Sequence, residues 1–236
     1  MNEENAGDAV RYFSDNAQQF TQLYRAQPEF YADRVRLWHQ LLDRYAARGG
    51  RSIDMGCGPG VFSFYLADKG GTVVGIDGAS DMVAACELQR RERGLLNITF
   101  LQARLPDVDE PELGEADLII SSSVVEYVED LDATLALFSR LLRPGGALLI
   151  SMPNITSVSR TLQRLKYKLL GTPEIYEYIR HFSSPGLLRR RVRPLGLTLV
   201  EAHYYTHFTR LAKLGRALRM PLALTEDLFV AAFRKG

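Results

Sequence analysis

The nine residues Ser52-Ile53-Asp54-Met55-Gly56-Cys57-Gly58-Pro59-Gly60 constrain this chain more than any other stretch. A short buried strand beginning at Arg51 runs straight into a cluster of glycines, and helical spacing follows. Such a turn is the first βα connection of a parallel sheet, where residues without side chains let a ligand approach the backbone. Two related patterns do not fit. The dinucleotide fingerprint GxGxxG needs glycine where this chain has Val61, and the phosphate loop needs a Gly-Lys-Ser/Thr that does not follow. What remains is an acid followed by GxGxG. The next strand ends Val74-Gly75-Ile76-Asp77, with Asp77 lying 77 − 54 = 23 residues beyond Asp54. An acid in that place can accept two hydrogen bonds from a ribose diol. The blander alternative is a glycine turn that holds nothing, and the surrounding βαβ context argues against it.

Around this motif, strand and helix alternate. Strands are expected at 52–55, 72–76, 98–102, 118–121 and 147–151, with closing strands at 197–203 and 228–234. That rhythm belongs to right-handed βαβ crossovers and an α/β fold. Pro144-Gly145-Gly146 is read as the turn that launches the fifth strand. Before the sheet, Tyr12, Phe13, Phe20 and Tyr24 and then Tyr31, Val35, Trp38, Leu41, Leu42 and Tyr45 recur at helical spacing. The aromatic set either forms a lid or packs the first helices on the sheet. After Pro153 the stretch 157–170 sets Val158, Leu162, Leu165 and Leu169 on one stripe and Arg160, Arg164 and Lys168 on another, which predicts an inserted amphipathic helix.

Charge balances overall, at a formal +1, which argues against a general nucleic-acid binder. Locally it segregates: ten acidic and no basic residues between Leu105 and Asp132, then thirteen basic residues against Glu174, Glu177 and Glu201 between Val158 and Met220. Either these are solvated helix faces, or the basic stretch meets an anionic or lipid-like acceptor or a membrane headgroup, with peripheral contact through 157–170. The two cysteines, Cys57 and Cys86, lie too far apart for a CxxC motif, and the polar, acidic start lacks the features of a signal peptide. A cytoplasmic protein is expected, peripheral at the membrane if the amphipathic helix docks there.

The segment 53–60, Asp77 with Met82, the run 116–130 and Leu142-Arg143-Pro144-Gly145-Gly146 together resemble the class I S-adenosylmethionine-dependent methyltransferases. Among these, the chain looks most like the small-molecule enzymes that act on quinones, porphyrin precursors and natural products. The resemblance implies a Rossmann-like sheet of seven strands, mostly parallel with one antiparallel, and helices on both faces. It divides a single methyltransferase domain, 1–236, into a helical cap or lid (1–50), a cofactor-binding core (51–152), a helical insertion shaping the acceptor site (153–183) and a closing helix with strands (184–236). It implies that Asp54 with Gly56, Cys57, Gly58 and Gly60 holds the methionine end of S-adenosylmethionine, and that Asp77 and Gly78 meet the ribose. Met82 then covers one face of the adenine, Gln102, Ala103 and Arg104 edge it, and Ser121, Ser122 and Ser123 line the site near the sulfonium. The product is S-adenosylhomocysteine and no metal is predicted. An N-terminal arginine often meets the methionine carboxylate in such enzymes, and Arg36 is the candidate.

Two departures from the family pattern bear on mechanism. Gln102 stands where many relatives have aspartate, and its amide oxygen can still accept a hydrogen bond from the adenine amino group. Glu126-Tyr127 stands where relatives often read Glu-His, and a phenol is a poor general base at neutral pH. His181 is therefore the candidate base, with Tyr12, Tyr127, Asn154 and Tyr178 assigned to the acceptor. His39 reads as a helix-face residue, while His203 and His207 fall near the closing strands. Transfer to an oxygen of a small molecule is the expected reaction. N-methylation of a small amine or aminosugar and a non-catalytic regulator that keeps the fold are the alternatives, with an NAD-dependent oxidoreductase disfavoured by Val61.

Overall fold

The computed structural model describes residues 4–17, 28–206, 215 and 217–236. Phe20, Tyr24 and His207 lie outside the described residues. Seven strands form one sheet in the order β3-β2-β1-β4-β5-β7-β6. They are β1 (Arg51–Met55), β2 (Thr72–Asp77), β3 (Ile98–Gln102), β4 (Ala116–Ser122), β5 (Leu142–Pro153), β6 (Leu197–Tyr205) and β7 (Leu228–Lys235). The first five pair in parallel, and β7 runs antiparallel to both β5 and β6. The α/β expectation and its single antiparallel strand are therefore met.

Alternation along each strand builds a core on both faces, because successive side chains point to opposite sides of the pleat. Leu148, Ile150 and Met152 of β5 face one cluster, joined by Leu135 and Phe138 of α6 (Leu131–Leu141) and by Leu188 and Val192 of α9 (Pro185–Val192). Ala147 and Leu149 face the other, built on α2 (Pro28–Tyr45), α3 (Val61–Asp68) and α4 (Ser80–Glu92). Trp38, Leu41, Leu42 and Tyr45 form the buried face of α2, and Trp38 stacks on Phe62 with ring centroids 5.0 Å apart. The end of α2 is tied to β6 through Glu201, which accepts hydrogen bonds from Arg44 at 2.6 Å and from Tyr45 and His203 at 2.7 and 2.6 Å. Burial would raise the Glu201 carboxyl, but its bonds from His203, Tyr45 and Arg44 prevail and hold it at about 2.

The fifth strand departs from expectation at its start. It begins at Leu142 rather than Ala147, and Pro144-Gly145-Gly146 forms an irregularity inside it, between the pairs Ala116↔Leu142 and Leu118↔Ala147. Leu142 can pair with Ala116 because the extra residues bulge out of register without ending the ladder. The amphipathic segment is the helix α7 (Val158–Leu170), with the Ser157 hydroxyl accepting from the Arg160 amide at its start and Gly171 closing it. Its apolar stripe does not cover the core: Leu162, Leu165 and Leu169 are 49%, 53% and 73% exposed. Three short helices complete the described elements around the site: α1 (Glu4–Asp15), α8 (Ile175–Tyr178) and α10 (Leu222–Thr225). The remaining single turn, α5 (Glu110–Leu113), precedes β4.

Candidate active site

The strand order reverses beside β1, whose neighbours are β2 and β4, and connections leave that point in opposite directions. A crevice must open there at the carboxyl ends of the strands. A cavity of about 930 Å³ occupies it, lined by the glycine loop, the ends of β2 and β4, one side of α1, and α7 with α8. That is near the top of the range for small-molecule sites, roughly 300–1,000 Å³, so two ligands can meet in it.

The three loop glycines have separate tasks. A Cβ on Gly56 would lie 2.2 Å from Val124 Cγ2, so Gly56 lets the β4 loop close over the turn. Gly60 likewise yields space to Phe64 and Cys86 and does not line the cavity. Gly58 does line it, has φ +51°, and a Cβ there would meet nothing within 4 Å among the described residues beyond its chain neighbours. It is the glycine that keeps space for a ligand. Cys57 also lines the cavity, but Cys86 and burial raise its thiol well above the usual range, which makes it a packing residue and not a nucleophile.

Asp54 and Asp77 stand on either side of this loop. Asp54 is buried and accepts a 2.6 Å bond from the Ser63 hydroxyl, and burial outweighs that bond to push its carboxyl up to about 7. Asp77 accepts from the Gly58 amide at 2.8 Å and the Ala79 amide at 2.9 Å, which fixes the loop against the end of β2. Burial still raises its carboxyl. With amides of Ala79, Gly58 and Gly78 as its partners, a carboxylate of four lone-pair positions keeps room for a ligand hydroxyl. Gly78, Met82, Ala103, Arg104, Ser122 and Ser123 complete this half of the cavity.

Other expected residues stand elsewhere. Gln102 points outward, 3.4 Å from the Gly78 carbonyl, at a smaller groove beside α1. Ser121 is fully buried within the sheet and does not reach the cavity. Arg36 is 67% exposed and pairs with Asp33 at 3.3 Å. The arginine of α2 that lines the cavity is Arg34, buried, with Nη2 donating to the Ser122 hydroxyl at 2.7 Å and carbonyl at 3.2 Å. Helical period carries the missed signal: Arg34 is four residues before Trp38 and shares its buried face, whereas Arg36 turns away from it.

At the acceptor end, Tyr12 and Tyr127 line the cavity and Phe13 packs edge-on against Tyr127 at 5.1 Å. Tyr178 backs Tyr12 at 5.0 Å between ring centroids. Asn154 is not free to orient a ligand: it is fully buried, donates to the Ala223 and Glu226 carbonyls, and accepts from Thr156. His181 also stands behind the wall. Its Nε2 lies 2.9 Å from the Val128 carbonyl, burial lowers its pKa, and its amide donates to the Glu126 carbonyl at 3.2 Å. His181 thus clamps the loop after β4 and does not present a base to the cavity.

The group that loop presents is Glu126, which the sequence reading passed over. It lines the cavity, is 2% exposed, and its Oε2 has no hydrogen-bond partner among the described residues. Burial pushes its carboxyl up to about 7, against the pull of Arg160 and Arg34. Its neighbour Tyr127 is driven the other way for a base, its phenol raised far above the usual range by burial and by the Glu126 charge.

Residues 47–184 match a family described as a methyltransferase domain, which is more than half of the chain. The chain belongs to the methyltransferase family. Ubiquinone biosynthesis O-methyltransferase of Methylococcus capsulatus is 28% identical over 204 residues, covering 83% of this chain and 81% of that one. The Aromatoleum aromaticum enzyme of the same name is 28% identical over 185 residues, covering 74% and 76%. Magnesium protoporphyrin IX methyltransferase from Synechocystis, solved with S-adenosylhomocysteine, superposes with a TM-score of 0.74 at 17% identity over 98% of this chain and 99% of that one. The N-methyltransferase NodS from Bradyrhizobium japonicum gives 0.65 at 18% over 94% and 98%. This methyltransferase has the class I fold, and the cavity fits S-adenosylmethionine. Gly58 leaves space beside the backbone, Asp77 keeps an acceptor position for a ribose hydroxyl, and Asp54 with Arg34 offers both charges that an amino-acid end requires. Among the described residues no group of three or more His, Cys, Asp or Glu side chains is placed to hold a metal.

Proposed function

We propose that this methyltransferase moves the methyl group to a hydroxyl oxygen of a small acceptor and that Glu126 takes the hydroxyl proton. The observation that carries this is a buried carboxylate, one oxygen of which has no partner among the described residues, on the acceptor side of a cavity whose other side suits the cofactor. The names of the two curated relatives support an oxygen acceptor. Bound in this cavity, S-adenosylmethionine supplies a methyl group on a positive sulfur that becomes neutral on transfer.

The protein's own residues do the rest. Asp77 holds the ribose hydroxyls, Met82 covers the adenine, Ala103 and Arg104 edge it, and Asp54 and Arg34 hold the amino-acid end. Tyr12, Phe13 and Tyr127 exclude water and align the acceptor, so that approach geometry contributes much of the rate. Glu126 accepts the proton as the oxygen–carbon bond forms. A carboxyl near 7 suits that task, since a base works best when its pKa lies close to the operating pH.

Calorimetric titration with S-adenosylmethionine, S-adenosylhomocysteine, NAD and NADP is the first test, followed by a screen of phenols, quinols, amines and sugars. Binding of the first two ligands alone, and methylation of hydroxyl acceptors, are expected. Turnover confined to amines would overturn the oxygen assignment, and silence towards all four titrants would remove the cofactor site.

The outer face of α7 supports a further part of the reading. No helix among the described residues is long and apolar enough to cross a membrane. Exposed Leu162, Leu165 and Leu169 beside Arg164 and Lys168 instead suit shallow contact with an anionic lipid surface. Co-sedimentation with vesicles containing anionic phospholipid is expected, and Leu165→Asp should abolish it; vesicles that leave the wild type in solution would refute the contact.

A further inference from the structure

Arg160, in the first turn of α7, brings a guanidinium to the acceptor side of the cavity. Its Nε donates to the Asp227 carbonyl at 3.1 Å and its Nη1 to the Tyr176 hydroxyl at 3.1 Å. The Tyr176 hydroxyl is held in turn by Gln163 Oε1 at 2.7 Å. The cation is thus fixed in place by neutral acceptors, and Nη2 donates to none of the described residues. Two acids are near, and neither forms an ion pair with it. Asp227 is occupied by the hydroxyls of Ser157, Ser159 and Thr206. Glu126 shares the cavity, and its Oε2 has no partner among the described residues.

Burial opposes the Arg160 charge while the Tyr176 hydroxyl and Asp227 favour it without an ion pair, so a guanidinium whose Nη2 has no partner among the described residues suits a site that a ligand completes. Of the other two arginines that line the cavity, Arg34 is already joined to Ser122 and Arg104 belongs with Gly78 and Ala103, both in the half assigned to the cofactor. Pro153, Ile175, Ile179 and Leu228 line the same cavity and give it an apolar wall. An acceptor with an apolar body and one negative end matches that lining.

We propose that Arg160 is the binding site for a carboxylate on the acceptor, which fixes the molecule so that its hydroxyl faces Glu126. The planar guanidinium fork matches a carboxylate, and one cation balances one negative charge. A phosphate monoester would bring close to two charges and leave one uncompensated beside Glu126. The substrate class is therefore a hydroxy acid, and this assignment rests on the oxygen-methylation reading.

The test uses the full chain saturated with S-adenosylhomocysteine. It is titrated with 3,4-dihydroxybenzoate and its neutral isostere 3,4-dihydroxybenzamide, and with 3-(4-hydroxyphenyl)propionate and its amide. In at least one pair the acid should bind about tenfold or more tighter than the amide, the usual scale for a hydrogen bond to a charged group. In Arg160→Met the ratio of acid to amide affinity should fall towards one, and Arg160→Lys should recover part of it. Retained affinity for S-adenosylhomocysteine in both variants shows that the cavity still stands. Equal binding of acid and amide in both pairs, no binding of any probe, or a preference that survives Arg160→Met overturns the carboxylate site. Loss of S-adenosylhomocysteine binding by the wild type would instead overturn the cofactor assignment on which it rests.

Discussion

Glu126→Gln is expected to lower kcat by about 10²–10⁴-fold, the range contributed by a positioned general base, while S-adenosylhomocysteine binds with wild-type affinity. Glutamine keeps the shape of the side chain and removes only its capacity to take a proton, so the buried wall is preserved. The carboxyl titrates at about 7 because burial opposes its charge more strongly than Arg160 and Arg34 favour it. A base acts only when ionised. The rate of methyl transfer in the wild type should therefore rise as pH increases through about 7 and level off above it, and the variant should lose that step. Initial rates between pH 5.5 and 9, paired with calorimetry, measure both quantities. A Gln variant with undiminished kcat would remove Glu126 from the chemistry.

Gly58→Val is expected to raise the dissociation constant for S-adenosylhomocysteine by two orders of magnitude or more with the sheet intact. The left-handed backbone at φ +51° costs a β-branched residue on the order of 1–3 kcal/mol. Apart from its two chain neighbours, no atom of the described residues lies within 4 Å of the added Cβ, so the cost to the fold is that backbone strain. The new atoms instead occupy the cavity that Gly58 lines. Circular dichroism and thermal melting would show a folded protein with a modest loss of stability, and wild-type affinity would contradict the loop assignment. Gly56→Ala makes the opposite comparison. Its Cβ collides with Val124 at 2.2 Å, so that variant should lose stability first.

Local chemistry made much of the cofactor half legible. The acid, the glycines and Asp77 lie within single βα turns, where spacing along the chain fixes position in space. Asp54, Gly58, Asp77 and Met82 accordingly appear on the cavity wall. Alternating apolar runs likewise fixed the strands to within a few residues, and the amphipathic stripe fixed α7. The acceptor half was not legible in this way, because its wall is assembled from segments far apart in sequence. Glu126 and Arg160 come to line one cavity only through the packing of α7 against the start of β7.

Burial decided the remaining roles. Histidine at position 181 looked suited to proton transfer from its ordinary pKa, yet tertiary contacts turn its ring to the Val128 carbonyl. Glutamate at 126 looked too acidic, and its enclosure raises it into the working range. Asn154 looked available and is spent on holding α10 and β7 to the end of β5. The sequence alone determined the class of fold, the cofactor loop and the amphipathic helix, all set by local periodicity and turn chemistry. Only the tertiary structure decided which polar groups face the cavity, because desolvation and competing hydrogen-bond partners are properties of packing and not of composition.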